Sequence, residues 1–201
     1  TPNGENLLAF SEWTECKDDD EEIVYVSDCD PEDIQVNSEL QIIKNGLQSG
    51  KLDIPSFFNR LSFPGSDELS NIAVAYYDED MEGTVQIQGL VDLGAVYFID
   101  MDNPEATPGK VSVGFSPNRI LFGENNQAVV MSRSRVVVID MLTFEQTFEA
   151  PLTLDADQKI DPSGAELAYD TNSESQILLL TVENSADLYM LNLNDEFWNI
   201  G

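Results

Sequence analysis

The chain has 201 residues, 42% of them hydrophobic, so it can bury a sizeable core and hold one or two domains. Its 38 acidic and 9 basic residues give a net charge of −29, a field that repels nucleic acid and anionic lipid; partners of those kinds are excluded. Histidine is absent, which removes the commonest general base and the commonest transition-metal ligand but does not exclude chemistry by carboxylates alone.

In chain order, residues 1–60 read as an acidic N-terminal extension. Leu7 to Trp13 is a short apolar and aromatic stretch. Lys17 to Glu22 is a dense charge run, most simply a solvated loop, and Ile23 to Val26 reads as a strand. Leu40 to Leu47 fits either a strand or one or two turns of helix. Cys16 and Cys29, the only cysteines, have neither CxxC spacing nor a partner histidine, which argues against zinc. A Cys16–Cys29 disulfide is favoured over two free thiols; it would contribute roughly 3 kcal/mol in the chain-entropy model and imply an extracytoplasmic compartment. The purely apolar runs are far too short to insert in a membrane.

From residue 61 to 201 one pattern appears three times. Each copy is expected to open on a proline turn: Ser62-Phe63-Pro64-Gly65, Phe115-Ser116-Pro117-Asn118, and Ile160-Asp161-Pro162-Ser163-Gly164. A β-branched or aliphatic run follows, at Ile72–Tyr77, Ala128–Met131 and Ile177–Val182. Each copy then reaches an apolar-Asp/Asn-apolar strand: Tyr97–Met101, Val137–Met141 and Tyr189–Leu193. Glu145–Leu154 and Phe197–Ile200 read as outer strands, and the pair Asn125-Asn126 as a turn, since Asn tolerates positive φ. The unbroken run Val136–Ile139 suggests a strand buried on both faces. A period of about 40–50 residues with several strands per unit marks a propeller-type repeat. The expected class is therefore all-β, with about three β-propeller-like blades; a two-sheet β-sandwich is the runner-up.

The elements Phe115-Ser116-Pro117-Asn118 and Val137-Val138-Ile139-Asp140-Met141 resemble the blades of YVTN-type bacterial surface propellers, and are similar to the wider NHL and WD-like repeats. The likeness covers residues 61–201, with Asn192 in place of Asp in the third copy and a long insertion between Tyr77 and Ala95 in the first. It implies a blade architecture and leaves activity open. Propellers usually need about four to eight blades, so the three copies are expected to belong to a longer chain or a multi-subunit assembly.

The best local motif is Asp78-Glu79-Asp80-Met81-Glu82-Gly83-Thr84-Val85-Gln86. Its carboxylates at relative positions 1, 3 and 5, with Gly at 6, match the first half of a calcium loop, making Asp78, Asp80, Glu82, Thr84 and Gln86 candidate ligands. Position 12 falls on Gly89 instead of an acid, and a solvated hairpin tip is the plainer reading. The run from Asp155 to Glu166 is rejected as a calcium loop because Lys159 would place a cation among the ligands. Asp100, Asp140 and Asn192 recur once per copy and are read as turn-capping groups. Ser116, Ser132 and Ser163 have no histidine to activate them. The sequence thus points to a non-catalytic, extracytoplasmic binding or structural module, with calcium as a candidate cofactor and protein subunits or further blades as partners. The alternatives are a carboxylate- and metal-dependent propeller hydrolase or lactonase, and an intracellular propeller scaffold.

Overall fold

The computed structural model describes residues 6–16, 34–44, 47–53, 58–65, 69, 71–81, 92–103, 105–152, 158–171, 175–184, 186, 188–193 and 198–200. All regular structure of any length among them is β, in four antiparallel sheets. The N-terminal sheet joins β1 (Asn6–Cys16), β2 (Ile34–Lys44) and β3 (Leu47–Asp53) in order. The described residues of the undecided stretch from Leu40 to Leu47 are thus strand, in the end of β2 and the start of β3. The expected strand Ile23–Val26 and the partner cysteine Cys29 lie outside the described residues.

Three four-stranded meanders follow. The first holds β4 (Arg60–Ser62), β5 (Ile72–Tyr76), β6 (Ala95–Asp100) and β7 (Gly109–Ser112). The second holds β8 (Arg119–Phe122), β9 (Gln127–Met131), β10 (Arg135–Asp140) and β11 (Glu145–Pro151). The third holds β12 (Ile160–Asp170), β13 (Ser175–Val182), β14 (Leu188–Asn192) and β15 (Trp198–Ile200).

Side chains alternate across a strand, so a meander that is apolar on both faces must be covered on both. In β5, Val74 and Tyr76 enter an apolar cluster shared with Ala128, Val130, Val137 and Ile139 of the second meander. Ala73 and Ala75 enter another, shared with Leu40 and Ile42 of the N-terminal sheet. In β10, Val137 and Ile139 face the first meander while Val136 and Val138 face Leu178, Leu180 and Leu191 of the third. All four of those β10 residues are at most 1% exposed. That is the physical content of the run Val136–Ile139. Sheets of four strands stacked face to face in chain order are propeller blades, and the N-terminal sheet covers the outer face of the first.

The central strand pair has one register in all three blades: Ile72 opposes Asp100, Gln127 opposes Asp140, and Ile177 opposes Asn192. The next residue closes the ladder each time. Met101 N–H donates to Asn71 O, Met141 N–H to Asn126 O, and Leu193 N–H to Gln176 O, each at 2.9 Å. The side chains of Met101, Met141 and Leu193 are buried at those points. The recurring apolar-Asp/Asn-apolar motif is therefore one structural joint used three times.

The proline turns are less uniform than expected. Asn59 N–H donates to Tyr76 O at 3.2 Å, and Asn118 N–H to Met131 O at 2.8 Å, so Asn59-Arg60 in the first blade matches Asn118-Arg119 in the second. Pro64 follows β4 and does not precede it, which places the first copy's expected opening turn between its first two strands. Pro162 and Gly164 sit inside β12, where the register with β13 jumps between Asp161 and Glu166, a bulge in place of a turn. The pair Asn125 and Asn126 does make a turn, with φ of 55° and 61°. Two successive left-handed residues define the type I′ hairpin whose twist matches the flanking strands.

Candidate functional site

The register places Asp78, Arg133 and Glu183 at matching positions, two residues beyond the Tyr76, Met131 and Thr181 rung, where the second strand of each blade ends. Arg60, Arg119 and Asp161 match one another on the innermost strands, opposite that same rung. Oppositely charged groups thus gather on one rim of the blade stack.

Asp78 is 4% exposed, yet its carboxylate is well provided with donors. Its Oδ1 accepts from the Asp80 N–H at 3.1 Å and from Asn118 Nδ2 at 3.0 Å, and its Oδ2 accepts from Arg60 Nε at 3.3 Å. The backbone of Asp78 is tied to Asn59, whose side chain bonds both its N–H and its carbonyl at 2.8 Å. Asp80 Oδ2 accepts from Asn118 Nδ2 at 3.2 Å and from Arg133 Nε at 2.9 Å. Arg133 also donates through Nη1 to Glu183 Oε1 of the third blade. The hydrogen bond to Asp80 raises Arg133 above its ordinary pKa, so the guanidinium stays charged.

The second blade reaches its neighbours at further points on this rim. Ser116 Oγ donates to Tyr77 O at 3.3 Å in the first blade. Arg119 Nη1 donates to Ser163 O in the bulge of β12. There Asp161 accepts from the Ser163 hydroxyl at 2.6 Å, and this bond holds its carboxyl below the ordinary aspartate value. Of the candidate calcium ligands, Asp78 and Asp80 are thus turned toward Asn118, Arg60 and Arg133, while Glu82, Thr84 and Gln86 lie outside the described residues. The acidic run from Lys17 to Glu22 lies outside them too. Among the described residues no three acidic, cysteine or histidine side chains converge as a metal site.

Of the other recurrent groups, at the opposite end of the central strands, Asp100 and Asp140 cap turns, and Asn192 bonds a side chain across its strand pair. Asp100 Oδ1 accepts from the Asp102 N–H at 2.9 Å and from Asn71 Nδ2 at 3.1 Å. Asp140 Oδ1 accepts from the Leu142 and Thr143 N–H groups, and Asn192 donates to Ser175 Oγ. Ser132 Oγ accepts from the N–H groups of Ser134 and Arg135, shaping the hairpin that carries Arg133. Between the inner strands of the first two blades, Leu61, Phe63, Ile120 and Phe122 line a wide-open hollow of roughly 630 Å³.

The sequence reading missed Asn118 and Arg133 as the groups that receive Asp78 and Asp80. The available signal was the dipeptide Asn-Arg, which opens both inner strands at Asn59-Arg60 and Asn118-Arg119.

The blades described above define the chain as an all-β protein of β-propeller type. No family model matches it, and no curated protein matches it. Among solved structures, the β-propeller domain of Cps50 (Swd1) from Myceliophteria thermophila is similar at 9% identity and a TM-score of 0.39, covering 82% of this chain and 67% of that one. The fold rests on the strand register and the apolar clusters of the chain itself.

Proposed function

We propose that the chain is a non-catalytic binding or structural module whose third blade docks on another β-sheet face of the blade kind. One observation carries this reading. Ile177, Leu179 and Met190 are half-buried on the face of the third blade opposite Leu178 and Leu180, and Leu188 beside them is 46% exposed. Among the described residues none of the three apolar clusters includes them. The other sheet-on-sheet interfaces pair an apolar blade face with an apolar sheet face, so continuing the stack calls for an occupant of that chemistry.

The test uses the chain alone and its Met190→Asp and Leu179→Asp variants. The expected result is concentration-dependent self-association or binding of an apolar dye, both lost in variants that keep their β-sheet circular dichroism. A chain that stays monomeric, binds no dye and is indifferent to both substitutions would overturn the reading. The occupant's source is read from the same experiment: self-association points to a second copy, and dye binding without it points to blades from elsewhere.

The extracytoplasmic part of the reading rests on Cys16 and Cys29, whose pairing lies outside the described residues. Labelling of two thiols in unreduced, denatured protein would replace it with an intracellular scaffold.

A further inference from the structure

The rim chemistry is unusual in that a single guanidinium touches both neighbours of its own blade. Arg133 sits on a hairpin whose strands β9 and β10 are separated only by residues 132–134. Ser132 anchors that hairpin through its hydroxyl, and its N–H donates to Arg135 O at 2.9 Å. From this fixed base Arg133 reaches Asp80 through Nε and Glu183 through Nη1. Two different nitrogens are used, so the carboxylates do not compete for one donor. The fork geometry of arginine allows both bonds at once.

The geometry points to Arg133 as a two-way coupler between the first and third blades. Ordering a long side chain costs conformational entropy, and that cost is met once for two ion pairs. With Glu183 in place, the guanidinium is already oriented for Asp80; with Asp80 in place, it is already oriented for Glu183. Each pair therefore strengthens the other, and an event at one hairpin is felt at the other by reciprocal linkage. The surrounding charges fit this role. Asp78 is engaged by Arg60 and Asn118, and Arg119 by Ser163 and, at 3.9 Å, by Glu166, so among the described residues of the rim Arg133 is the one that bonds carboxylates of both neighbours. This inference does not depend on what docks against the third blade.

Residue-resolved amide exchange tests it on the full chain. The Asp80 N–H is held by Asp78 Oδ1, and the Glu183 N–H donates to Lys159 O at 2.8 Å, so each amide reports on its own hairpin. Glu183→Gln is expected to speed exchange at Asp80 by about two- to fivefold, the scale of an exposed ion pair. Asp80→Asn is expected to do the same at Glu183. Both remote effects should vanish in an Arg133→Ala background, and in Arg133→Lys, which keeps the charge and loses the fork. Remote exchange that is unchanged or slowed, or remote effects that persist without the guanidinium, would overturn the proposal.

Discussion

Val137 and Val138 are neighbours in β10, 0% and 1% exposed, and they enter different apolar clusters. A blade buried on both faces requires both valines to matter. A two-sheet sandwich, the rival architecture, would leave one of them on a solvent face. Truncating either to Ala removes the equivalent of two methylene groups, worth about 0.8 kcal/mol each, and leaves a cavity on top. The expected loss is about 2–3 kcal/mol for each variant, or a fall of about 4–12 °C in Tm for a cooperative domain of this size. Were one valine exposed, its truncation would cost no more than about 0.5 kcal/mol.

Urea unfolding of a double-mutant series would then assign each face. Val138→Ala shares its cluster with Leu178, and Val137→Ala shares its cluster with Val96. Pairs within one cluster are expected to be non-additive by about 0.5–3 kcal/mol, and Val138→Ala with Val96→Ala to be additive within about 0.5 kcal/mol. One silent valine, or coupling of Val138 to Val96 as strong as to Leu178, would refute the face assignment and with it the blade stack.

Gly164→Ala should destabilise the third blade by about 1–3 kcal/mol, because an ideal Cβ there lies 2.0 Å from Thr181 Oγ1; adding Thr181→Ala should recover part of the loss in the same urea assay. Asp161 has a folded pKa below its unfolded one, so its contribution is complete above about pH 4 and is lost as pH falls through the folded value; Asp161→Asn should flatten that part of the acid-unfolding curve. Asp78 and Asp80 already face arginine and asparagine donors, so millimolar calcium is expected to leave Tm unchanged; a rise that Asp80→Asn abolishes would instead place calcium at residues 78–86.

The repeat was legible where backbone geometry and burial act on the same residues. The step from Asp100 to Met101, from Asp140 to Met141 and from Asn192 to Leu193 combines a polar residue at the strand end with a buried apolar residue on the closing hydrogen bond. That pairing leaves a trace in sequence. The opening of each blade left a poorer one, because proline marks it unevenly: the first two blades open on Asn-Arg, with a proline before it only in the second, and the third opens on a bulge. Keying on proline therefore placed the first opening after β4. The rim was illegible for another reason: Asp78, Asn118, Arg133 and Glu183 are far apart in sequence, and only the stacking of three blades brings them together.

The same stacking explains why so acidic a chain places its few arginines as it does. Of its 9 basic residues, Arg60, Arg119 and Arg133 all lie on the one rim. Carboxylates brought to a shared rim by adjacent blades would repel one another, at a cost that grows as water is excluded. Within the first blade alone, Asp78 is 4% exposed and lies two residues from Asp80. An aspartate buried there without donors would be an uncompensated charge. Arg60 and Asn118 remove that cost at Asp78, and Arg133 removes it at Asp80 while reaching Glu183 as well. Cations needed inside the rim are not free to recruit a phosphate, and acids paired with them are poor candidates for a general base. Asp78 and Asp80, singled out in the sequence by their carboxylate spacing, thus help to hold the first two blades in order.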